Sequence, residues 1–266
     1  MAEQTRPNRL SLSGKVAVVS GSSMGIGAAI AKELHKRGAD VVINYPFVAD
    51  QDGANNIVKS LPQHARAIAV EADLSTLDGP QILVDKAVQA FGKIDILVNN
   101  AGVVLPSPVD EPDLTKVAHC WEKTMNLNGR GTMLLTRAVL PHLSRENSRI
   151  VNIGACMARN PLTFMSFYAG SKGMIESFTR AWARELPPKY ACTVNAVAPG
   201  PVATEGLLST SQPAQDALKP VLDTTPVGAR LGKPEEIAWV VAMLCEDDAS
   251  WVNGAIVPVS GGSTLL

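Results

Sequence analysis

From Lys15 onward, short apolar runs alternate with segments whose apolar residues recur every three or four positions. Val16-Ala17-Val18-Val19 is a continuous apolar run of strand length. Behind it, Ile26, Ile30 and Leu34 are spaced by four, which predicts a helix over about 26–37. The same reading predicts strands at 39–45, 65–71, 94–98, 149–153, 193–197 and 255–259, and helices at 54–61, 77–91, 114–143, 166–186 and 234–244. The 114–143 segment is interrupted near its middle by Asn and Gly. Pro187-Pro188 stops the helix before it, and Pro234 suits a first helical turn. Residues 203–227, rich in Ser, Thr, Gln and Pro, break into short helical patches.

Wholly apolar strands separated by helix-length segments imply a parallel sheet covered on both faces. No linker or internal repeat interrupts the rhythm. The prediction is one α/β domain, a doubly wound parallel sheet, over 14–266, preceded by a loose tail over 1–13. In open sheets of this kind ligands sit at the carboxyl ends of the strands. Gly21, Tyr45, Asp73, Asn100, Gly154 and Pro199 fall at such ends and are expected to share one crevice.

The first strand runs into Gly21-Ser-Ser-Met-Gly25-Ile-Gly27. Glycines allow a sharp turn and close approach of backbone to a ligand. The helix that follows offers unpaired N–H groups and a positive dipole end to an anion. The spacing is G-x-x-x-G-x-G, not the G-x-G-x-x-G of the commonest dinucleotide fingerprint. No Lys-Ser/Thr follows the last glycine, so it is not a P-loop. By itself the turn fits either a phosphate cradle or close strand–helix packing.

Composition narrows the classes further. The 266 residues are 46% hydrophobic and carry a net charge of −1 with no basic block, which argues against a sequence-independent grip on nucleic acid. No apolar run approaches the ~18–20 residues of a membrane span. Residues 1–9 are polar and lack the apolar core of a signal peptide, so the expected compartment is the cytoplasm. Cys120, Cys156, Cys192 and Cys245 form no C-x-x-C, and the four histidines form no H-E-x-x-H; no metal centre is expected.

Several pieces in order are similar to the short-chain dehydrogenase/reductase family, over nearly the whole chain. They are Gly21, Gly25 and Gly27; Asp73; Asn99-Asn100-Ala101-Gly102; Asn126 in Asn-Leu-Asn-Gly; Tyr168-Ala-Gly-Ser-Lys172; and Asn195-Ala-Val-Ala-Pro199-Gly200 with Thr204. The resemblance implies a Rossmann-type fold, a nicotinamide cofactor, hydride transfer at a carbonyl carbon, and assembly as a homodimer or homotetramer through the two long helices. It places the cofactor against Gly21, Ser23, Met24, Gly25, Ile26 and Gly27 of the turn, Asn44 and Tyr45, Asp73 and Leu74, Asn100, Ala101 and Gly102, Tyr168 and Lys172, and Pro199, Gly200, Val202 and Thr204. Asp73 would accept from the adenine amine, and Asn126 would hold a water linking Lys172 to solvent. Tyr168 and Lys172 also make sense alone. Four apart on a helix, they share a face, and a cation near a phenol is expected to lower its pKa and tune it for proton transfer.

Three features refine that expectation. An acidic residue at the end of the second strand would bind a ribose 2′-hydroxyl and repel a 2′-phosphate. Asn44 and Tyr45 stand there instead, which favours NADP(H), although Met24 replaces the basic residue that often accompanies that choice. Thirteen residues before Tyr168, where the family carries its catalytic serine, the chain has Ala155. Cys156, Thr163 and Ser166 are the nearby candidates to compensate. Ala155 leaves three readings open: an engineered, disabled enzyme; a reductase for a pre-activated acceptor such as an iminium; or a protein that keeps fold and cofactor for sensing rather than redox work. The third is opposed by the retained Tyr168 and Lys172. Finally, 205–226 would form a substrate lid. With Phe164, Met165 and Phe167 near the catalytic helix, an apolar small molecule and simple packing stand as equal alternatives. Arg130, four after Asn126, could face the site or an oligomer contact, with a solvated helix charge the favoured reading.

Overall fold

The computed structural model describes residues 10–265. Seven strands, β1 (Val16–Val19), β2 (Asp40–Tyr45), β3 (Ala67–Glu71), β4 (Ile96–Asn99), β5 (Ser148–Ile153), β6 (Cys192–Pro199) and β7 (Ile256–Val259), form one parallel sheet in the order β3-β2-β1-β4-β5-β6-β7. Between them run α1 (Gly25–Lys36), α2 (Gln51–Ser60), α3 (Gly79–Phe91), α4 (Leu114–Thr124), α5 (Thr132–Val139), α6 (Ser166–Glu185), α7 (Pro187–Tyr190), α8 (Glu205–Leu208), α9 (Gln212–Asp216), α10 (Lys219–Asp223) and α11 (Pro234–Cys245). This is a single Rossmann-type domain. Among the described residues no helix is long and apolar enough to cross a membrane.

The side-chain alternation of a strand explains the layers. Ala17 and Val19 of β1, with Ile96 and Val98 of β4, face a core shared with α1 and α11. Val18, one residue out of phase, joins Leu97 in the opposite core with α3 and α5. Because both faces are covered, neither set needs polar partners, and the strand reads as an unbroken apolar run. The expected tail to residue 13 largely lies outside the described residues. Within them Leu12 is packed into the α1–α11 layer and its N–H donates to the Arg37 carbonyl at 2.8 Å.

The long helical stretch is not one helix. A π-helical turn, Met125–Gly131, separates α4 from α5. Asn126, Asn128, Gly129 and Gly131 are poor helix formers, so widening the turn costs little there. Gly131 also has to be small, since a Cβ would lie 2.5 Å from the Leu74 carbonyl oxygen.

The strand order reverses at β1, with β2 on one side and β4 on the other. In open sheets of this kind that switch point, beyond the carboxyl ends of the strands, is where a ligand crevice lies. The β1–α1 turn, Asn100, Ala101 and Thr204 come together there.

Candidate active site

The floor of the crevice is the turn between β1 and α1. Gly21 (φ 58°) and Gly25 (φ 55°) adopt left-handed backbone, which favours glycine. At Gly27 a Cβ would strike the Gly21 carbonyl and lie 2.5 Å from Asn100 Nδ2. Helix α1 begins with no side-chain cap from Met24 and no acidic residue in its first turn, so its positive end is open to an anion. A carboxylate does lie there: the Gly25 N–H donates to Glu205 Oε2 at 3.1 Å. The turn therefore fits the diphosphate of a dinucleotide.

Two asparagines hold the turn in shape. Asn100 donates from Nδ2 to the Ser20 and Gly21 carbonyls at 2.8 and 2.9 Å, and its backbone N–H donates to Ser20 Oγ. Asn44 Oδ1 accepts from the Gly21 N–H at 2.9 Å while its Nδ2 donates to the Ala72 carbonyl at 3.0 Å. The Asn44 side chain is thus spent on the scaffold. Tyr45 packs in the α1–α11 core and Leu74 in the opposite one. These three side chains are packed or hydrogen-bonded within the protein beside the turn. Ser23, Gly25 and Ile26 are half-buried at the rim, and Met24 is exposed.

Ala101, Thr204, Asp73 and Gly200 lie around the turn or at neighbouring strand ends. Ala101 Cα would be 3.0 Å from a Cβ on Gly21, and Thr204 Cγ2 would be 3.3 Å from one on Gly25. Asp73 keeps one carboxylate oxygen on the N–H and hydroxyl of Ser75 at 2.9 and 2.7 Å. Gly200 has no room for a side chain, because Ser260 would lie 3.0 Å from its Cβ. Its N–H bonds Val259, linking the Pro199–Gly200 end of β6 to β7. Val202 is buried and pairs with Gly232.

Above this floor, α6 presents Tyr168 and Lys172. The Lys172 ammonium is buried, donates to the Ile153 carbonyl at 2.8 Å, and lies 5.8 Å from the centre of the Tyr168 ring. Its Nζ would be 3.5 Å from a Cβ on Gly102. Burial lowers the Lys172 pKa to about 8 and raises that of Tyr168 to about 12. The expected depression of the phenol pKa is therefore not found, because desolvation of the phenolate dominates. Tyr168 is a neutral phenol at physiological pH, a state that can give a proton.

Asn128 is the site residue that motif reading overlooked. Fully buried, it accepts from the Val103 N–H at 2.8 Å through Oδ1. Its Nδ2 donates to the Val103 carbonyl and to Ser171 Oγ, both at 3.0 Å. Oδ1 would also lie 3.3 Å from a Cβ on Gly102, on the side where Lys172 approaches. Asn126, two residues earlier, lines a different cavity of about 490 Å³ with Trp121, Met125, Arg130, Phe167 and Met174. The doubled Asn in Asn126-Leu-Asn128-Gly129 was the available signal. Only the π-turn decides which amide faces inward.

Ala155 is buried in extended backbone at the end of β5. None of the three proposed substitutes is well placed. The Cys156 thiol already donates to the Ala198 carbonyl at 3.3 Å, and burial raises its pKa. Thr163 is exposed. Ser166 belongs with Phe167, Gly170 and Met174 on the outer cavity. Phe167 stands edge-on to Trp121 at 5.5 Å, on that same outer face. Arg130 is not a solvated charge: half-buried, it donates to the Ser75 carbonyl at 2.5 Å and braces the loop that carries Asp73.

A glycine-turn crevice at a sheet switch point, with a Tyr–Lys pair at its mouth, defines a Rossmann-type oxidoreductase. A family model described as enoyl-(acyl carrier protein) reductase matches residues 21–264. The chain is 39% identical over 252 residues to an oxidoreductase of Methylorubrum extorquens, covering 94% of this chain and 98% of that one. The fold superposes with a TM-score of 0.87 on a blue fluorescent protein from a metagenomic library in complex with NADPH (33% identity; 96% and 100% covered). A Burkholderia cenocepacia short chain dehydrogenase in complex with NADP gives 0.85 (35% identity; 95% and 99% covered). The chain belongs to the short-chain dehydrogenase/reductase family.

Proposed function

We propose that this protein is an NADP(H)-dependent oxidoreductase acting on the carbonyl, imine or iminium carbon of an apolar small molecule, with Tyr168 as the proton donor for a carbonyl or neutral imine. The observation that carries this reading is the Tyr168–Lys172 pair on α6, with the Lys172 ammonium held by Ile153 O at 2.8 Å and 5.8 Å from the Tyr168 ring centre. Two observations support NADP(H) over NAD(H). No carboxylate closes the end of β2, and both similar structures named above were crystallised with the phosphorylated cofactor.

The bound nicotinamide supplies or accepts the hydride. The chain's residues supply position and the proton. The turn from Gly21 to Gly27 and the open end of α1 hold the diphosphate. Asp73, Gly102, Pro199 and Thr204 edge the rest of the dinucleotide. For a carbonyl, the carbon takes the hydride and the oxygen takes the Tyr168 proton, leaving a phenolate that the Lys172 ammonium stabilises. Asn126 lines the separate cavity between α4 and α6 and takes no part in this step. Asn128 fixes the main chain at Val103, next to the reacting centre.

Ala155 bears on the substrate class. It cannot donate to a developing alkoxide, and loss of one such donor typically costs about 10²–10³ in rate. An iminium acceptor becomes a neutral amine when hydride arrives, so no donor is needed. The test is NADPH consumption across ketones, imines and iminium ions, for this chain and for Ala155→Ser. An activated-acceptor reductase turns over imines or iminium ions as it stands and gains little from serine. A gain near 10²-fold on ketones alone marks a disabled ketoreductase. Stoichiometric NADPH binding with no oxidation of any acceptor by either chain favours the sensing role and overturns the reading. Assembly as a homodimer or homotetramer is proposed through the outer faces of α4 and α6, where Trp121 is half exposed beside Phe167.

A further inference from the structure

The lid enters the crevice through an unusual contact. Its root, Thr204, sits 3.3 Å from where a Cβ on Gly25 would be, and the next residue, Glu205, accepts the Gly25 N–H at 3.1 Å. No ion pair reaches Glu205 among the described residues, and α1 has no cap of its own. The carboxylate therefore completes a helix end 180 residues away in sequence. That same helix end is where the diphosphate of the cofactor belongs.

We infer that Glu205 is an internal competitor for the diphosphate site: it caps α1 in the free protein, must leave when the dinucleotide binds, and so sets cofactor affinity and ties lid position to cofactor occupancy. The inference rests on the dinucleotide-binding role proposed above. Two anions cannot share one N–H donor, and like charges at that distance repel. Whatever stabilisation the carboxylate gives the free protein is therefore subtracted from cofactor binding. Glu205 is also the first residue of α8, so its departure moves the start of the lid.

The experiment is titration of the full chain with NADPH, followed by fluorescence, for the parent, Glu205→Gln and Glu205→Ala. Asp223→Asn is the control, an exposed lid carboxylate at the end of α10. Both Glu205 variants are expected to bind NADPH roughly fivefold tighter, the size of a helix-end charge interaction, with Asp223→Asn unchanged. Without cofactor, the Glu205 variants should melt lower than the parent, and NADPH should raise their melting temperature by more. Hydrogen exchange in the parent should show the amides of 205–209 changing protection when NADPH is added. Unchanged affinity in both Glu205 variants, or an equal gain in Asp223→Asn, overturns the inference while leaving the proposed function standing. Failure of the parent to bind NADPH at all overturns the function itself.

Discussion

Lys172 shows how a single residue trades stability for chemistry. Its ammonium is buried with one carbonyl partner, and its pKa falls to about 8 from the 10.5 of an open chain. Below pH 8 both folded and unfolded chains bind the proton, and the fold bears the full desolvation cost. Between pH 8 and 10.5 the folded chain has released the proton while the unfolded chain keeps it, so stability rises with pH. The gain from this residue is on the order of 3 kcal/mol. Buried thiols and Tyr168 act oppositely at higher pH, since their folded pKa values are raised. Comparing the parent with Lys172→Met cancels those groups. Urea unfolding should show Lys172→Met at least as stable as the parent at pH 7, with turnover lost, and the stability difference closing by pH 10. A constant difference across that range would contradict the assignment.

At the scale of elements, two short stretches carry most of the site. The first is the β1–α1 turn, where backbone is packed against backbone. Gly27→Ala would push a methyl into the Gly21 carbonyl and Asn100. It is expected to destabilise the protein by about 1–3 kcal/mol and to weaken NADPH binding more than any change at the exposed Met24. Thermal unfolding with and without NADPH separates the two effects. The second is the π-turn between α4 and α5. Asn128→Ala leaves both the N–H and the carbonyl of Val103 without their side-chain partner. A loss of about 2–3 kcal/mol is expected, together with lower turnover, because Gly102 and Lys172 meet at this point. Asn126→Ala, in the outer wall, should cost much less stability in the same melting assay.

The whole molecule presents surfaces that a single chain does not explain. Trp251 is 98% exposed and Trp239 56%, and the cavity between α4 and α6 is lined by Trp121, Met125, Phe167 and Met174. Light scattering should report the mass of two or four chains. Trp121→Glu combined with Phe167→Glu should lower that mass if α4 and α6 form the interface; an unchanged mass would place the interface elsewhere.

The sequence by itself determined the alternation of strands and helices, the single parallel sheet and the glycine turn. It also placed the Tyr168–Lys172 pair and the gap at Ala155. All of these are local patterns: a period, a spacing or an identity, and short-range sterics and side-chain period are enough to read them. Tertiary structure alone decided which way side chains point once distant segments meet. It tied the Asn44 side chain to the Gly21 N–H and the Ala72 carbonyl, faced Asn128 rather than Asn126 toward Gly102 and Val103, and put Arg130 on the Ser75 carbonyl. It raised the Tyr168 pKa, where proximity to a cation predicted the reverse, because burial depends on everything packed around the phenol. It also set Glu205 on the end of α1, a contact between segments whose residues carry no mark of each other.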